Sequence, residues 1–123
     1  MARVLGIGGV FFKAKDPKAI AAWYERHLGI SDLGKAVWQQ EAGPTILGPF
    51  SEDTEYFGRP GQQWLINFRV DDLDSMIAAL KAGGIPVETR AEWDSEAGRF
   101  ARIHDPEGNP VELWEPRIGE SGD

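Results

Sequence analysis

No cysteine occurs among the 123 residues, which excludes disulfide staples, thiolate nucleophiles and sulfur-ligated zinc and makes a reducing cytoplasm the simplest compartment. Histidine is scarce: His27 and His104 are the two copies, and no nucleophile–histidine–acid triad emerges around either. Positive charge is also in short supply. Thirteen Lys and Arg against twenty Asp and Glu leave a net charge of -7, which argues against nucleic-acid and anionic-membrane partners, both of which need basic patches. Long apolar runs are missing too. The uncharged stretch after Arg3 ends at Lys13, too short to span a bilayer, and its Gly-Gly and β-branched content suits a strand better than a signal peptide. These absences together describe a soluble intracellular protein of one domain, long enough to bury about two thirds of its unfolded surface.

The most informative stretch that is present runs from His104 to Pro116. Asp105-Pro106 opens a turn because proline presets the backbone angle of a turn's second position, and Gly108-Asn109 closes it with the residue types that best tolerate positive φ. Two strands should meet there. In the second, Val111 and Leu113 alternate with Glu112 and Trp114, so one face is aliphatic and the other carries a carboxylate beside an indole.

Upstream, a strand is expected over 8–15, with Val10, Phe12 and Ala14 on one face and Gly9, Phe11 and Lys13 on the other. Asp16-Pro17 then caps a helix to about residue 28, where Gly29 stops it. Short strands are expected at 36–40 and 45–47. An acidic segment over 51–56 and a linker over 57–63 precede a second round: a strand over 64–70, a helix capped by Asp72 and stopped by Gly83-Gly84, and strands at 86–89, 98–104 and 110–114. The tail 117–123 should fray. Asp16 superposes on Asp72 at an offset of 56 residues, which also lays Phe12 on Phe68, Ala14 on Val70 and Ile20 on Met76. The fold class is therefore α+β: two βαβββ modules, about 4–57 and 64–116, forming one curved mixed sheet around a concave cavity with the helices on the convex face. Gly6, Gly8 and Gly9 lead into a strand rather than from a strand to a helix, so they do not make a phosphate loop.

Four motifs in this order, Gly9-Val-Phe-Phe-Lys-Ala-Lys-Asp-Pro17, Trp23-Tyr24 with Leu28-Gly29, Phe68-Arg-Val-Asp-Asp-Leu73 and Asp105-Pro-Glu-Gly-Asn-Pro-Val-Glu-Leu113, resemble the vicinal oxygen chelate superfamily of glyoxalase I, bleomycin-resistance and extradiol-dioxygenase proteins. Thr54-Glu-Tyr-Phe-Gly58 and Gly98-Arg-Phe-Ala-Arg102 look like a glyoxalase-like branch without an assigned reaction, so whether the chain is an enzyme stays open. Metal-using members place His or Glu ligands at four concave positions. Carried over one by one, these fall on Gly9, Leu65, Ile46 and Glu112, of which Glu112 alone can ligate; one carboxylate holds too few donors for a functional site. No cofactor is expected, and a divalent metal enters only if Glu112 finds partners.

Strand alternation gathers candidates around Glu112. Asn67 and Arg69 share one face of their strand, Lys13 shares the face of Gly9, and Trp114 offers an aromatic wall beside Glu112. Lys13, Asn67, Arg69, Glu112 and Trp114 would line a site for a small organic molecule; equally, Lys13 and Arg69 could simply solvate its rim. His104 has the pKa class for proton transfer, although a histidine beside Asp105 in a turn more often serves structure. His27 would offset the helix dipole, while Trp23 and Tyr24 would pack a helix on the sheet. Three readings follow: a metal-independent small-molecule binder, a metal-dependent lyase, isomerase or dioxygenase using Glu112 with His104 or Glu41, and a domain with a filled cavity that serves protein interaction. The resemblance further implies a homodimer.

Overall fold

The structure is a computed structural model and describes residues 2–117. Both expected helices form, for the expected reasons. In α1 (Pro17–Leu28) the Asp16 carboxylate accepts the Ala19 amide, proline sits in the first turn, and Gly29 adopts the left-handed conformation, φ 72°, that lets its amide bond back to Glu25. Asp72 caps α2 (Leu73–Ala82) in the same way, through the Ser75 amide. The strands are β1 (Ile66–Arg69), β2 (Gly98–His104) and β3 (Pro110–Pro116). They form one sheet in the order β1-β3-β2, with β1 parallel and β2 antiparallel to β3.

The register explains both faces of the sheet. Ile66 pairs with Val111 and Val111 with Ile103, then Phe68 with Leu113 and Leu113 with Ala101. These side chains share one face and pack with Ile20 and Tyr24 of α1 and Leu73 and Leu80 of α2 in the core. The alternate residues, Asn67, Glu112 and Arg102 in one row and Arg69, Trp114 and Phe100 in the next, occupy the opposite face.

The turn between β2 and β3 is closed as its sequence requires, by Gly108 N–H to Asp105 C=O at 2.9 Å and Asp105 N–H to Asn109 C=O at 3.0 Å, with Gly108 at φ 81°. Its side chains hold α1. Asp105 accepts from the Tyr24 hydroxyl at 2.9 Å, and Glu107 accepts the amides of Lys15 and Asp16 at 2.8 and 2.9 Å.

The first half departs from expectation. The strands expected at 8–15, 36–40 and 45–47 are not hydrogen-bonded strands; those segments are irregular, and the one expected at 86–89 is reduced to a bridge between Glu88 and Arg102. A strand, unlike a helix, takes its hydrogen bonds from another segment, and the three first-half segments join no strand of the sheet. Phe11, Val37 and Leu47 are 93, 84 and 86% exposed, although Phe12 and Ala14 reach the core. The capped helix thus repeats between the halves, whereas the hydrogen-bonded strand set belongs to the second half. A 3-10 turn at Ala91–Trp93, absent from the expected elements, precedes β2. The tail expected to fray lies, beyond Arg117, outside the described residues. Among those residues no helix is long and apolar enough to cross a membrane.

Candidate functional site

Asn67, Glu112 and Arg102 stand side by side across the three strands because each occupies the same register level of the sheet. Glu112 is 7% exposed, and both of its oxygens are engaged: the Asn67 amide donates to one at 2.8 Å and the Tyr56 hydroxyl donates to the other. Tyr56 comes from the irregular segment between Phe50 and Trp64. Its ring is parallel to Phe50, with centroids 5.6 Å apart, and meets Trp93 edge-on at 6.3 Å. Burial, the bond to Glu112 and the charge of Glu112 push the Tyr56 hydroxyl up to about 12, against a smaller opposing effect of Arg102.

Arg102, also 7% exposed, lies against the Tyr56 and Trp93 rings, its guanidinium carbon 4.5 Å from the Tyr56 centroid and 5.4 Å from that of Trp93. One terminal nitrogen, Nη1, donates to the Tyr56 carbonyl at 2.6 Å. Nε and Nη2 are buried and meet no hydrogen-bond partner among the described residues. Neither neighbouring carboxylate serves them. Glu112 is taken by Asn67 and Tyr56, and Glu88, whose backbone bridges that of Arg102, pairs with Arg90 at 2.7 Å. An unsatisfied buried donor costs on the order of 1–3 kcal/mol. Cation–π contacts offset roughly 0.5–2 kcal/mol of that.

The five residues singled out from the sequence divide. Asn67 bonds Glu112 directly, and Arg69 and Trp114 occupy the next level of the same face. Arg69 donates to the Glu41 carbonyl at 2.9 Å. Trp114 is buried, its indole N–H on the Ala97 carbonyl at 3.0 Å and its ring parallel to that of Phe100. Lys13 lines a separate open cleft of about 600 Å³ with Lys15, Arg59, Glu107 and Asn109, where none of the other four is found. His104 is exposed at the end of β2, and His27 packs its ring on Trp23 in the last turn of α1. Glu41 touches the site through its backbone, by way of Arg69. Among the described residues no three His, Asp or Glu side chains converge as metal ligands would.

Tyr56, Trp93 and Arg102 were not among the candidates from the sequence. Arg102 could have been found by alternation, since it follows Phe100 by two on an expected strand and lies opposite Glu112 once the turn fixes the register. Tyr56 lies in an aperiodic acidic segment that gives no such signal.

The family model of a glyoxalase-like domain matches residues 9–114. Among solved structures, the crystal structure of TnmS3, an antibiotic binding protein from Streptomyces sp. CB03234, superposes with a TM-score of 0.62 at 20% identity, over 94% of this chain and 99% of that one. A glyoxalase/bleomycin resistance protein from the same Streptomyces matches at 30% identity over 46% of this chain and 48% of its own, with a TM-score of 0.38. No curated protein matches the chain.

Proposed function

The chain belongs to the glyoxalase-like domain family of the vicinal oxygen chelate superfamily, and from that premise we propose that it binds a small organic molecule on the Asn67–Glu112–Arg102 face without using a metal. The observation that carries this reading is the row of three polar side chains beside Tyr56 and Trp93, in which Arg102 keeps two buried nitrogens without an acceptor among the described residues. Sites for small molecules have this composition: aromatic walls and a few convergent polar groups that fix orientation. The fold it shares with an antibiotic binding protein supports the same class of ligand.

In this reading the cavity is the concave side of a curved sheet, with the module over about 4–57 closing on that over 64–116. Asn67, Arg69, Glu112 and Trp114 contribute from β1 and β3, Arg102 from β2, and Lys13 stands at the rim. The donor set does not suit a divalent metal. Gly9, Ile46 and Leu65 supply no ligand atoms at the positions where metal-using members carry them, and the Glu112 oxygens already accept two protein donors.

Elemental mass spectrometry of the purified protein, before and after exposure to nickel, zinc, manganese and ferrous iron, together with a ligand screen by tryptophan fluorescence, tests the proposal. Glu112→Gln is expected to weaken binding of a compound that donates a hydrogen bond to Glu112 by roughly tenfold, the loss of one charge-assisted hydrogen bond, and to leave metal content at background. Stoichiometric metal that disappears in Glu112→Gln would overturn the reading in favour of a lyase, isomerase or dioxygenase.

A further inference from the structure

Nε and Nη2, the two unserved nitrogens of Arg102, define a single edge of the guanidinium, the one that meets a carboxylate side-on with two parallel N–H···O bonds. Arginine is suited to that geometry, since its donors are rigidly coplanar and its charge persists at any physiological pH. Two aromatic rings and a carbonyl surround the group. Tyr56 and Trp93 lie against the guanidinium, and the Tyr56 carbonyl holds Nη1. The two acidic side chains that strand pairing brings alongside, Glu112 and Glu88, are held by other partners. Among the described residues, what is left without an acceptor is thus a buried cationic edge of two nitrogens beside aromatic rings.

We propose, on the basis of the binding face argued above, that this edge anchors the carboxylate of a small aromatic acid, and that the segment bearing Tyr56 moves aside to admit it. That segment is suited to moving. Arg59 and Gln62 tie its far end to the β2–β3 turn, through the Glu107 carbonyl at 3.0 Å and Asn109. Gly58, at φ 95°, separates that anchor from Tyr56. The hydroxyl of Tyr56 on Glu112 and the bond from Arg102 to its carbonyl tie it to the sheet. An incoming aryl group can replace the ring contacts that Tyr56 gives up, and its carboxylate adds two hydrogen bonds that none of the described residues supplies.

Benzoate and benzamide, nearly identical in shape and different in charge, are the probes. Titrated into 15N-labelled protein, benzoate is expected to bind at least tenfold more tightly than benzamide, with shifts centred on the Asn67 side-chain amide and the backbone of 100–102. Tyr56→Ala should tighten benzoate binding several-fold, and Arg102→Gln should erase the difference between the probes. If Arg102→Gln fails to fold, the acid-to-amide ratio in wild type and in Tyr56→Ala still decides. Equal affinity of the two probes at this face, the result for an edge served by buried water, would overturn the acid anchor and leave the small-molecule face standing. Absence of shifts with benzoate in both proteins would also overturn it. A panel of neutral aromatic fragments would then separate the two ideas: shifts at Asn67 would preserve the face, and silence would remove both.

Discussion

Tyr24 and Tyr56 are the two tyrosines of the chain, and each hydroxyl donates to a carboxylate, Asp105 for one and Glu112 for the other. Burial, and for each the neighbouring acid, raises both pKa values, that of Tyr56 to about 12. A free tyrosine is half ionised near pH 10. Because the folded values lie above the unfolded one, this contribution to stability is complete below pH 10 and is lost as the pH rises through the folded values. Absorbance at 295 nm is therefore expected to show little tyrosinate at pH 10.5 in the native protein and about three-quarters ionisation of both residues in urea. In Tyr56→Phe the first native ionisation, near pH 12, should vanish. Half-ionisation at pH 10 under native conditions would show that the hydroxyls are not held as described. At this scale alternation made Asn67, Glu112 and Trp114 legible, since in a strand the facing direction follows from position alone. Tyr56 was not legible, because nothing local to residues 51–58 says where that segment folds back.

The turn from Asp105 to Asn109 does more than join β2 to β3. Asp105 is 4% exposed and accepts four hydrogen bonds, from the Tyr24 hydroxyl, the amides of Glu107 and Asn109 and the Asn109 side chain, at 2.9–3.0 Å. One carboxylate thus shapes the hairpin and docks α1. Asp105→Ala leaves those donors buried and unserved, a loss of roughly 3 kcal/mol or more. In urea the midpoint should fall with the slope unchanged, and a shift worth under about 1 kcal/mol would show that the network does not act as a unit. The elements that could be read in advance all carry local signals of this kind: the Asp16 and Asp72 caps, Gly29, and the Asp-Pro with Gly-Asn of this turn. The strands of the first half carried only a hydrophobic pattern. Val10, Val37 and Leu47 have the residue types of strands, but a pattern records what a segment could bury and not the segment that covers it.

At the scale of the whole molecule, the apolar residues left in solvent are concentrated in one part of the chain. Val4, Leu5, Phe11, Val37, Ile46 and Leu47 are each more than 60% exposed, and all lie within residues 4–47. Scattered single residues of this kind are ordinary, whereas a contiguous apolar patch marks an interaction surface, and this stretch of the chain is where one could form. We expect the occupant to be a second copy, joined as a homodimer through the first half of each chain. Light scattering coupled to gel filtration should then report about 27 kDa, twice the 13.6 kDa of one chain, and a monomer at micromolar concentration would remove the claim. Phe11→Asp sharpens the test. Phe11 is 93% exposed, so in a monomer the substitution should change stability by no more than about 0.5 kcal/mol. In a dimer it would bury a charge without a partner, and the mass should fall toward that of one chain while the Tyr56 titration, which depends on contacts within the chain, stays where it was.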